Sequence, residues 1–364
     1  MKQFNNVRSI QFELTLNGDG CVNFDSVEQL EYLRSVGIVN YGDPNFYKNK
    51  SALSNILFSK KNFRINPEDE NTPEFHVKTS SECLRNAIFK EGMPMQSPTV
   101  MSIPHVLYAA IAHPDSLIRG YMFASKTITL RKKSPFYITD AEEIGPWRRS
   151  IVTDFHSRSG EKLSNEGKGS DDTKDTSIYK IENVGKVTYI AKGGIDVQEL
   201  GFISGDPIYD RMAVNVDGGV NEKIYLETLS KNLGVVNPEF KYYYLNNAYT
   251  SDEWAERGIL LDANTVNKLI KRVLKNILNI SIIRRNAFLK TSKLMVTVFT
   301  DEGNETFELT LDNLDDFNFY YATNYVETNE DKILQNKEYI KTLEMKVKED
   351  KKKNKKNGGN TNED

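Results

Sequence analysis

The sequence predicts an α+β protein whose sheet is antiparallel. Residues 8–16 alternate apolar and polar side chains, which is typical of a half-buried strand. Residues 264–279 repeat apolar side chains at helical spacing, which indicates a helix with one buried face. Residues 293–299 and 306–311 are predicted to form a hairpin around the turn DEGNE. The order of elements is strand, insertion, helix, strands, flexible loop, strands, helix and hairpin, which favours an antiparallel sheet over βαβ winding.

Two further helices are expected in the first third of the chain. One covers residues 79–91, where Thr79 and Glu82 have the spacing of a capping box. The other covers residues 101–112 and has a proline near its first turn. Residues 117–130 then indicate a strand-rich segment, which leads into a run of basic residues.

Two segments are expected to lack regular packing. Residues 156–177 contain a single large aliphatic side chain among mixed charges, so we expect a long flexible loop inside a domain. The end of the chain, from about residue 330, indicates a charged helix that leads into a disordered, lysine-rich tail.

For the long amphipathic helix predicted at residues 264–279, either Asp262 or Asn264 can supply the N-cap.

Composition excludes several classes of protein. The 364 residues carry a net charge of −3, so any polyanion must be held by local basic clusters rather than by overall charge. No run of apolar residues is long enough for a membrane span, and no secretory signal opens the sequence, so a cytoplasmic location is expected. The two cysteines and four histidines have no metal-ligand spacing, and no cofactor is expected.

Basic residues near the first predicted helix are candidate phosphate ligands. Lys78, Ser80 and Arg85 stand around the helix start, where free amides and a cation suit an anion. An ordinary capped helix with an exposed arginine is the alternative. Arg119 precedes Gly120, which permits close approach of a backbone to the guanidinium. A structural arginine paired with an aspartate is an equally good interpretation of that site.

Other basic runs follow predicted strands. Arg131, Lys132 and Lys133 form a triplet of the kind that tracks a nucleic-acid backbone, although a solvated charge run would look the same. Similar pairs are Arg148 with Arg149 and Arg284 with Arg285. Aromatic residues that could stack on bases interleave with these cations, although most are expected in the core. They are Tyr121, Phe123, Phe136, Tyr137 and Trp147.

An enzymatic function has little support. The sequence contains no P-loop, no GxSxG motif, no DFG motif and no metal-binding triad. Asp171, Asp172 and Asp175 lie in the predicted loop without a partner histidine, so solvated acids are the simpler interpretation.

Several segments resemble, in the same order, the Cas-seven family of RAMP proteins, the backbone subunits of type I CRISPR complexes. The resemblance spans about residues 8–300 and is closest to the type I-F variant. The segments that carry it are FELTLNGDGCVNFD (12–25), TSSECLRNAIFKEG (79–92), SLIRGYMFASKT (116–127), RKKSPFYITD (131–140), KVTYIAKGGIDVQELGFISGDPIYDRMAV (186–214) and GILLDANTVNKLIKRVLKNILNISIIR (258–284).

This resemblance implies a hand-shaped fold: a modified RRM (ferredoxin-like) palm with an inserted thumb and finger-like insertions. The palm is then expected in residues 1–24, 76–135 and 191–327, an insertion in 25–75, the thumb region with the flexible loop in 136–190, and the charged helix with its tail in 328–364. The implied partners are CRISPR RNA, the target DNA strand, other copies of the chain, a Cas-five-like cap subunit and a Cas-six-like repeat endonuclease. No membrane is implied.

The resemblance also implies a non-catalytic role in antiviral defence. Several copies would line up along the guide spacer and present it for target pairing. The residues expected to contact RNA are Lys78, Ser80, Arg85, Arg119, Lys126, Arg131, Lys132, Lys133, Arg148, Arg149, Arg158, Arg284 and Arg285. Two alternatives stay open: a type III-like relative that cleaves RNA with an aspartate of the 156–177 loop, and a general single-strand-binding protein.

Overall fold

Nineteen strands are present in the described part of the chain. The structure is a computed structural model, and it describes residues 1–19, 63–66, 69–75, 78–89, 103–124, 129–144, 151–160, 175–184, 186–206, 212–215, 220–246, 255–284, 287–329 and scattered positions from 331 to 346. The strands are β1 (Lys2–Asp19), β2 (Phe63–Asn66), β3 (Asp69–Phe75), β4 (Lys78–Thr79), β5 (Tyr121–Ala124), β6 (Thr129–Lys132), β7 (Phe136–Ile138), β8 (Ala141–Glu143), β9 (Ile151–Gly160), β10 (Asp175–Val184), β11 (Lys186–Asp196), β12 (Phe202–Ser204), β13 (Lys241–Leu245), β14 (Glu256–Leu260), β15 (Ser281–Arg284), β16 (Ala287–Thr300), β17 (Gly303–Leu309), β18 (Phe317–Tyr321) and β19 (Tyr325–Glu327).

Helices cover one face of the sheet. The α-helices with described bounds are α1 (Ser81–Ile88), α2 (Pro104–Ile111), α3 (Pro114–Arg119), α4 (Val197–Gly201), α5 (Glu222–Leu233) and α6 (Ala263–Leu278), and a 3₁₀ turn occupies Leu314–Asp316. Within the described ranges, no helix is long and apolar enough to span a membrane.

The main sheet has β1 at its centre. Its strand order is β15-β16-β1-β11-β8-β4, with β17 beside β16, β18 beside β1 and β7 beside β11. Strand β1 runs antiparallel to β11 and β16, and it pairs in parallel with β18. The predicted strand at residues 8–16 is thus part of a longer one. Ile10, Leu14 and Leu16 are fully buried on its core face, as the period-two pattern predicts.

Helix α6 packs against this sheet. It occupies Ala263–Leu278, one residue earlier than the predicted helix, and Asp262 is its N-cap through a 2.9 Å bond from the Thr265 amide to Oδ1. Its buried side chains, such as Val266 and Ile270, join the β1 residues in one core cluster. The helix packs on β16 and β18 and also contacts α1, α3 and α4.

The fold class is therefore confirmed as a mixture of helices and a largely antiparallel sheet. A second sheet has the order β12-β14-β13-β19, and two-stranded sheets join β9 with β10, β2 with β3 and β5 with β6. The finer assignment of these parts to an RRM palm, thumb and finger-like insertions stays a prediction.

Two segments differ from the sequence expectation. Residues 117–119 end helix α3 instead of starting a strand. Pro114 at the first turn favours a helix there, and so does the His113 side chain, which accepts a hydrogen bond from the Asp115 amide. The predicted 156–177 loop begins and ends in strands. Strand β9 pairs with β10, with Ile151 opposite Val184 at one end of the pair and Gly160 opposite Asp175 at the other. Strands β7 and β8 pair with β11 in the main sheet, and their assignment to the thumb region stays a prediction.

Candidate nucleic-acid interface

The N-terminus of helix α1 holds one of the chain's own carboxylates. Ser80 is the N-cap, and its Oγ accepts a 3.3 Å bond from the Cys83 amide. Asp140 Oδ1 accepts the Ser81 amide at 2.8 Å, and its Oδ2 lies 3.1 Å from Lys78 Nζ. The cap begins one residue after the predicted Thr79, which is buried in β4. The position where a phosphate was expected is thus occupied by a carboxylate that also neutralises Lys78.

Asp140 should make the stability of this corner depend on pH. Partial burial would raise the pKa of the Asp140 carboxyl, but the Ser81 amide and the Lys78 ammonium together hold it below its ordinary value. A depressed folded-state pKa adds stability above the unfolded pKa of about 3.9, and that stability is lost as pH falls through the folded value.

We therefore expect Asp140→Asn to lower the free energy of unfolding by about 0.5–1 kcal/mol at neutral pH. The difference from the unchanged protein should be smaller at an acid pH below the depressed folded-state pKa of the Asp140 carboxyl than at neutral pH. Urea unfolding at both pH values measures this, with Asp312→Asn at an exposed carboxylate as the control. A difference that persists unchanged in acid would contradict the assigned ion pair.

Arg85 ties three segments together from within the fold. Its Nη2 donates to the Arg119 carbonyl oxygen at 2.7 Å and to Ser134 Oγ at 3.4 Å, and its Nη1 donates to the Phe136 carbonyl at 3.2 Å. Partial burial lowers the pKa of the Arg85 guanidinium, Glu82 opposes this, and Arg119 adds to it, although an arginine stays charged in any case. These bonds give Arg85 a structural role.

At Gly120 the backbone of another segment of the chain comes into close contact. It has φ 74° and ψ 162°, a conformation open almost only to glycine. A Cβ there would lie 2.8 Å from the Lys132 carbonyl oxygen and 2.8 Å from Ser134 Cα. The sequence predicted a close approach at this glycine, and the structure shows that the approaching backbone is residues 132–134.

The Arg119 guanidinium is half-buried and donates from Nη2 to Asn86 Oδ1 at 2.7 Å.

The three basic residues 131–133 differ in exposure, because successive side chains at the end of strand β6 point to opposite faces. Arg131 is half-exposed, with Nη2 3.8 Å from Met122 Sδ, and Lys133 is exposed. Lys132 points the other way and is 4% exposed. Its Nζ donates to the carbonyl oxygens of Glu199 and Phe202 at 2.9 and 3.1 Å, and the Glu199 carboxylate is 3.9 Å away. The Lys132 ammonium therefore binds backbone carbonyls within the fold.

The structure brings three of the predicted cations to one place. Arg119 directly precedes Gly120, Arg131 pairs with Met122 on the neighbouring strand, and Lys133 lies between Lys132 and Ser134 at the crossing. We call these three residues the Gly120 cluster. Lys78 stands apart, on Asp140. Lys126, Arg148, Arg149 and Arg285 lie outside the described residues; Arg158 lies in β9 and Arg284 in β15, and their side chains are also outside the description.

Most aromatic residues near these cations belong to the core, as expected. Tyr121, Phe123 and Phe136 are 8%, 5% and 1% exposed, and the Tyr121 hydroxyl donates to the Ala213 carbonyl at 2.9 Å. Tyr137 is the exception among the described rings, since it is 52% exposed and lies over Gly194. Trp147 lies outside the described residues.

Sequence reasoning missed Asn86, Asp140 and Ser134, the polar partners of this region. Each meets its cation only through packing of segments far apart in the chain, so no local pattern could have identified them. Among the described residues, no group of three His, Cys, Asp or Glu side chains stands close enough to hold a metal ion. Asp171 and Asp172 are outside the described residues, and Asp175 begins β10.

A family model of CRISPR-associated proteins matches most of the chain. Residues 6–331 match a family model described as type I-Fv CRISPR-associated protein Cas7fv-like. A chain of a solved structure titled CRISPR RNA-guided surveillance complex is 10% identical with a TM-score of 0.32, and the match covers 80% of this chain and 70% of that one. A second, titled CRISPR RNA-guided surveillance complex, pre-nicking, is 8% identical with a TM-score of 0.36, covering 80% and 77%. With TM-scores this low, neither structure supports a conclusion about this chain. No curated protein matches the chain.

Proposed function

Since the chain belongs to the type I-Fv Cas7fv-like family of CRISPR-associated proteins, we propose that it is a non-catalytic, guide-RNA-binding backbone subunit of a type I-F variant-like surveillance complex. Several copies would assemble along the spacer of the CRISPR RNA and present it for pairing with target DNA in antiviral defence. A Cas-five-like cap subunit and a Cas-six-like repeat endonuclease complete the proposed assembly. The observation that carries this proposal is the family match over residues 6–331.

The Gly120 cluster is the proposed contact with the guide backbone. Arg119, Arg131 and Lys133 are half or fully exposed, and they lie in the segments that form one backbone crossing fixed by Gly120. Fixed cations on a rigid crossing suit phosphates, which carry charge but no sequence information. The exposed Tyr137 ring, on the neighbouring strand β7, adds a surface on which a base can stack.

This arrangement fits a subunit that holds any guide sequence. Pairing between guide and target supplies the specificity in RNA-guided systems, so the protein needs only backbone and stacking contacts. A net charge of −3 is compatible with this role, because copies that share one RNA combine many weak contacts. Arg85 supports the surface from below through the Arg119 carbonyl.

The proposal is tested by co-expressing the full chain with a repeat–spacer transcript and its processing endonuclease. We expect RNA of uniform length to co-purify with an assembly of several copies. A monomer free of nucleic acid under these conditions would refute the proposal. Binding of every single strand with equal affinity, without a stoichiometry set by the guide, would favour a general single-strand-binding protein instead.

Arg119→Ala tests the assigned surface more directly than a substitution of Arg85, which would also remove internal hydrogen bonds. Loss of one phosphate contact should reduce the slope of log affinity against log salt by about 0.7 for single-stranded RNA. Asn86 then loses its partner at an exposed site, so stability should change by less than about 0.5 kcal/mol. Lys186→Ala, at an exposed lysine of β11, is the control. An unchanged slope would remove Arg119 from the RNA surface.

A further inference from the structure

A groove lined by cations lies between helices α1 and α6. Its volume is about 580 Å³. Ala87 and Ile88 of α1 form one wall, and the 3₁₀ turn contributes Leu314 and Asp315. The α6 wall carries Lys268, Lys271, Arg272, Lys275, Asn276 and Asn279. In a chain whose net charge is −3, this groove therefore concentrates positive charge.

The cations follow the helix axis instead of meeting at a point. Lys268, Lys271 and Lys275 occur at positions i, i+3 and i+7, so roughly one lysine stands on each turn, about 5.4 Å apart. From Lys268 to Asn279 the groove extends about 16 Å at 1.5 Å per residue. That length exceeds a single phosphate, and the spacing is comparable with that of successive phosphates in an extended strand.

The groove is held in shape by contacts on both sides. Arg272 Nε donates to Asp115 Oδ1 at 2.5 Å, and Asp115, on α3, is 1% exposed. Lys271 Nζ reaches the Asp315 carbonyl oxygen at 3.4 Å. Lys268 and Lys275, by contrast, are exposed to solvent. Arg272 thus fixes the wall against α3. The Lys271 ammonium has three donors and uses one on the 3₁₀ turn, so it can still bind a ligand beside the two outer lysines.

An amide in the groove has a donor that the fold leaves unused. Asn276 Nδ2 is buried, and among the described residues it has no hydrogen-bond partner. A buried donor without an acceptor is unfavourable, and a bound oxygen would supply the missing acceptor. Asn279, in comparison, donates from Nδ2 to the Lys275 carbonyl oxygen at 3.0 Å. The unused donor is an observation independent of the lysines, and it also indicates an anionic or oxygen-rich ligand.

The groove continues the surface proposed for the guide. Ala87 lies in the wall of the groove, directly after Asn86. The Asn86 Oδ1 accepts a 2.7 Å hydrogen bond from the Arg119 guanidinium. Helix α3 links the two areas, because Asp115 at its start holds Arg272 and Arg119 ends it. A strand that leaves the Gly120 cluster over Asn86 would therefore enter the groove.

We infer that the α1–α6 groove binds the sugar–phosphate backbone of a single RNA strand, with Lys268, Lys271 and Lys275 on successive phosphates and Asn276 donating to a backbone oxygen. The identity of that strand as the guide rests on the proposed function, whereas the location rests on the groove itself. A nucleic-acid strand suits a row of donors over three helical turns better than a small anion does.

The test substitutes all three lysines with glutamine in the full-length protein. After removal of bound RNA at high salt, binding of a fluorescein-labelled single-stranded RNA oligonucleotide is measured at a series of KCl concentrations. Three lost phosphate contacts should flatten the salt slope by about 2. The control has the same change of charge at Lys223, Lys231 and Lys290, which are exposed elsewhere, and should keep most of the slope.

A second variant removes the unused donor. Asn276→Ala should lower affinity for the same RNA while leaving thermal stability unchanged or raised, because alanine favours the helix and the amide has no internal partner among the described residues. This variant keeps the test valid if the triple substitution unfolds the chain.

The possible outcomes separate the two proposals. Equal salt slopes for the groove and control triples would overturn the groove assignment. So would a groove triple that binds RNA normally but forms smaller assemblies on the guide, since that result would identify a contact between copies. If the unchanged protein holds no guide in cells yet its salt slope in vitro depends on the three lysines, the groove inference stands and the proposed function fails.

Discussion

Gly120→Ala is expected to lower the free energy of unfolding by about 3–5 kcal/mol, because two costs add at this position. The backbone conformation, φ 74° and ψ 162°, is strained for any residue with a Cβ. The added methyl group would also overlap backbone atoms of Lys132 and Ser134 at 2.8 Å, and backbone cannot move aside as a flexible side chain can. Urea unfolding of the full-length chain measures the loss.

Gly234 offers a matched control. It caps helix α5 with φ 71° and ψ 23°, and a Cβ there would meet nothing within 4 Å. Alanine at Gly234 should therefore cost only about 1 kcal/mol, the ordinary penalty of a left-handed residue. If the two variants lose equal stability, the close backbone crossing at Gly120 contributes nothing, and the geometry of the Gly120 cluster must have another origin.

Lys132→Met is expected to cost about 3 kcal/mol in unfolding free energy, although it keeps most of the side chain's volume. The carbonyls of Glu199 and Phe202 lose their donor, and the Glu199 carboxylate loses its nearest cation. The bond to the Phe202 carbonyl is buried and the bond to the Glu199 carbonyl is partly buried, so water replaces the ammonium poorly. The affinity for RNA and its salt slope should not change in the folded fraction.

Lys133→Met provides the comparison one residue along the chain. Both variants lose one positive charge, but Lys133 is exposed. Its loss should leave stability within about 0.5 kcal/mol and reduce the salt slope for single-stranded RNA by about 0.7. If instead Lys132→Met unfolds no more easily than the unchanged protein and loses RNA affinity, then the ammonium contacts RNA, as the sequence alone suggested.

Local patterns were sufficient to predict the elements that form the core. Strand β1 shows strict alternation around Ile10 and Leu14, and helix α6 repeats apolar residues at helical spacing from Val266 onward. Both patterns arise because one face of an element must be buried, so each can be recognised without knowledge of its neighbours. The same logic failed at residues 117–119, where a short apolar run is compatible with either a strand or a helix end.

The candidate site depended on tertiary structure. Sequence identified the basic residues around Arg85, Arg119 and Lys132 as one class, because charge and spacing are all that a local pattern contains. The structure divides them, since Arg85 and Lys132 hold backbone carbonyls inside the fold while Arg119 stays at the surface.

By itself, then, the sequence determined the secondary structure of the core, the family resemblance and the absence of a strongly basic overall charge. Only the folded chain decided which cations face solvent, that Asp140 fills the start of α1, and that lysines on one face of α6 meet α1 across a groove. The physical reason is that a side chain's partners are set by contacts between distant segments, such as Asp115 with Arg272, and these contacts leave no periodic signal in the sequence.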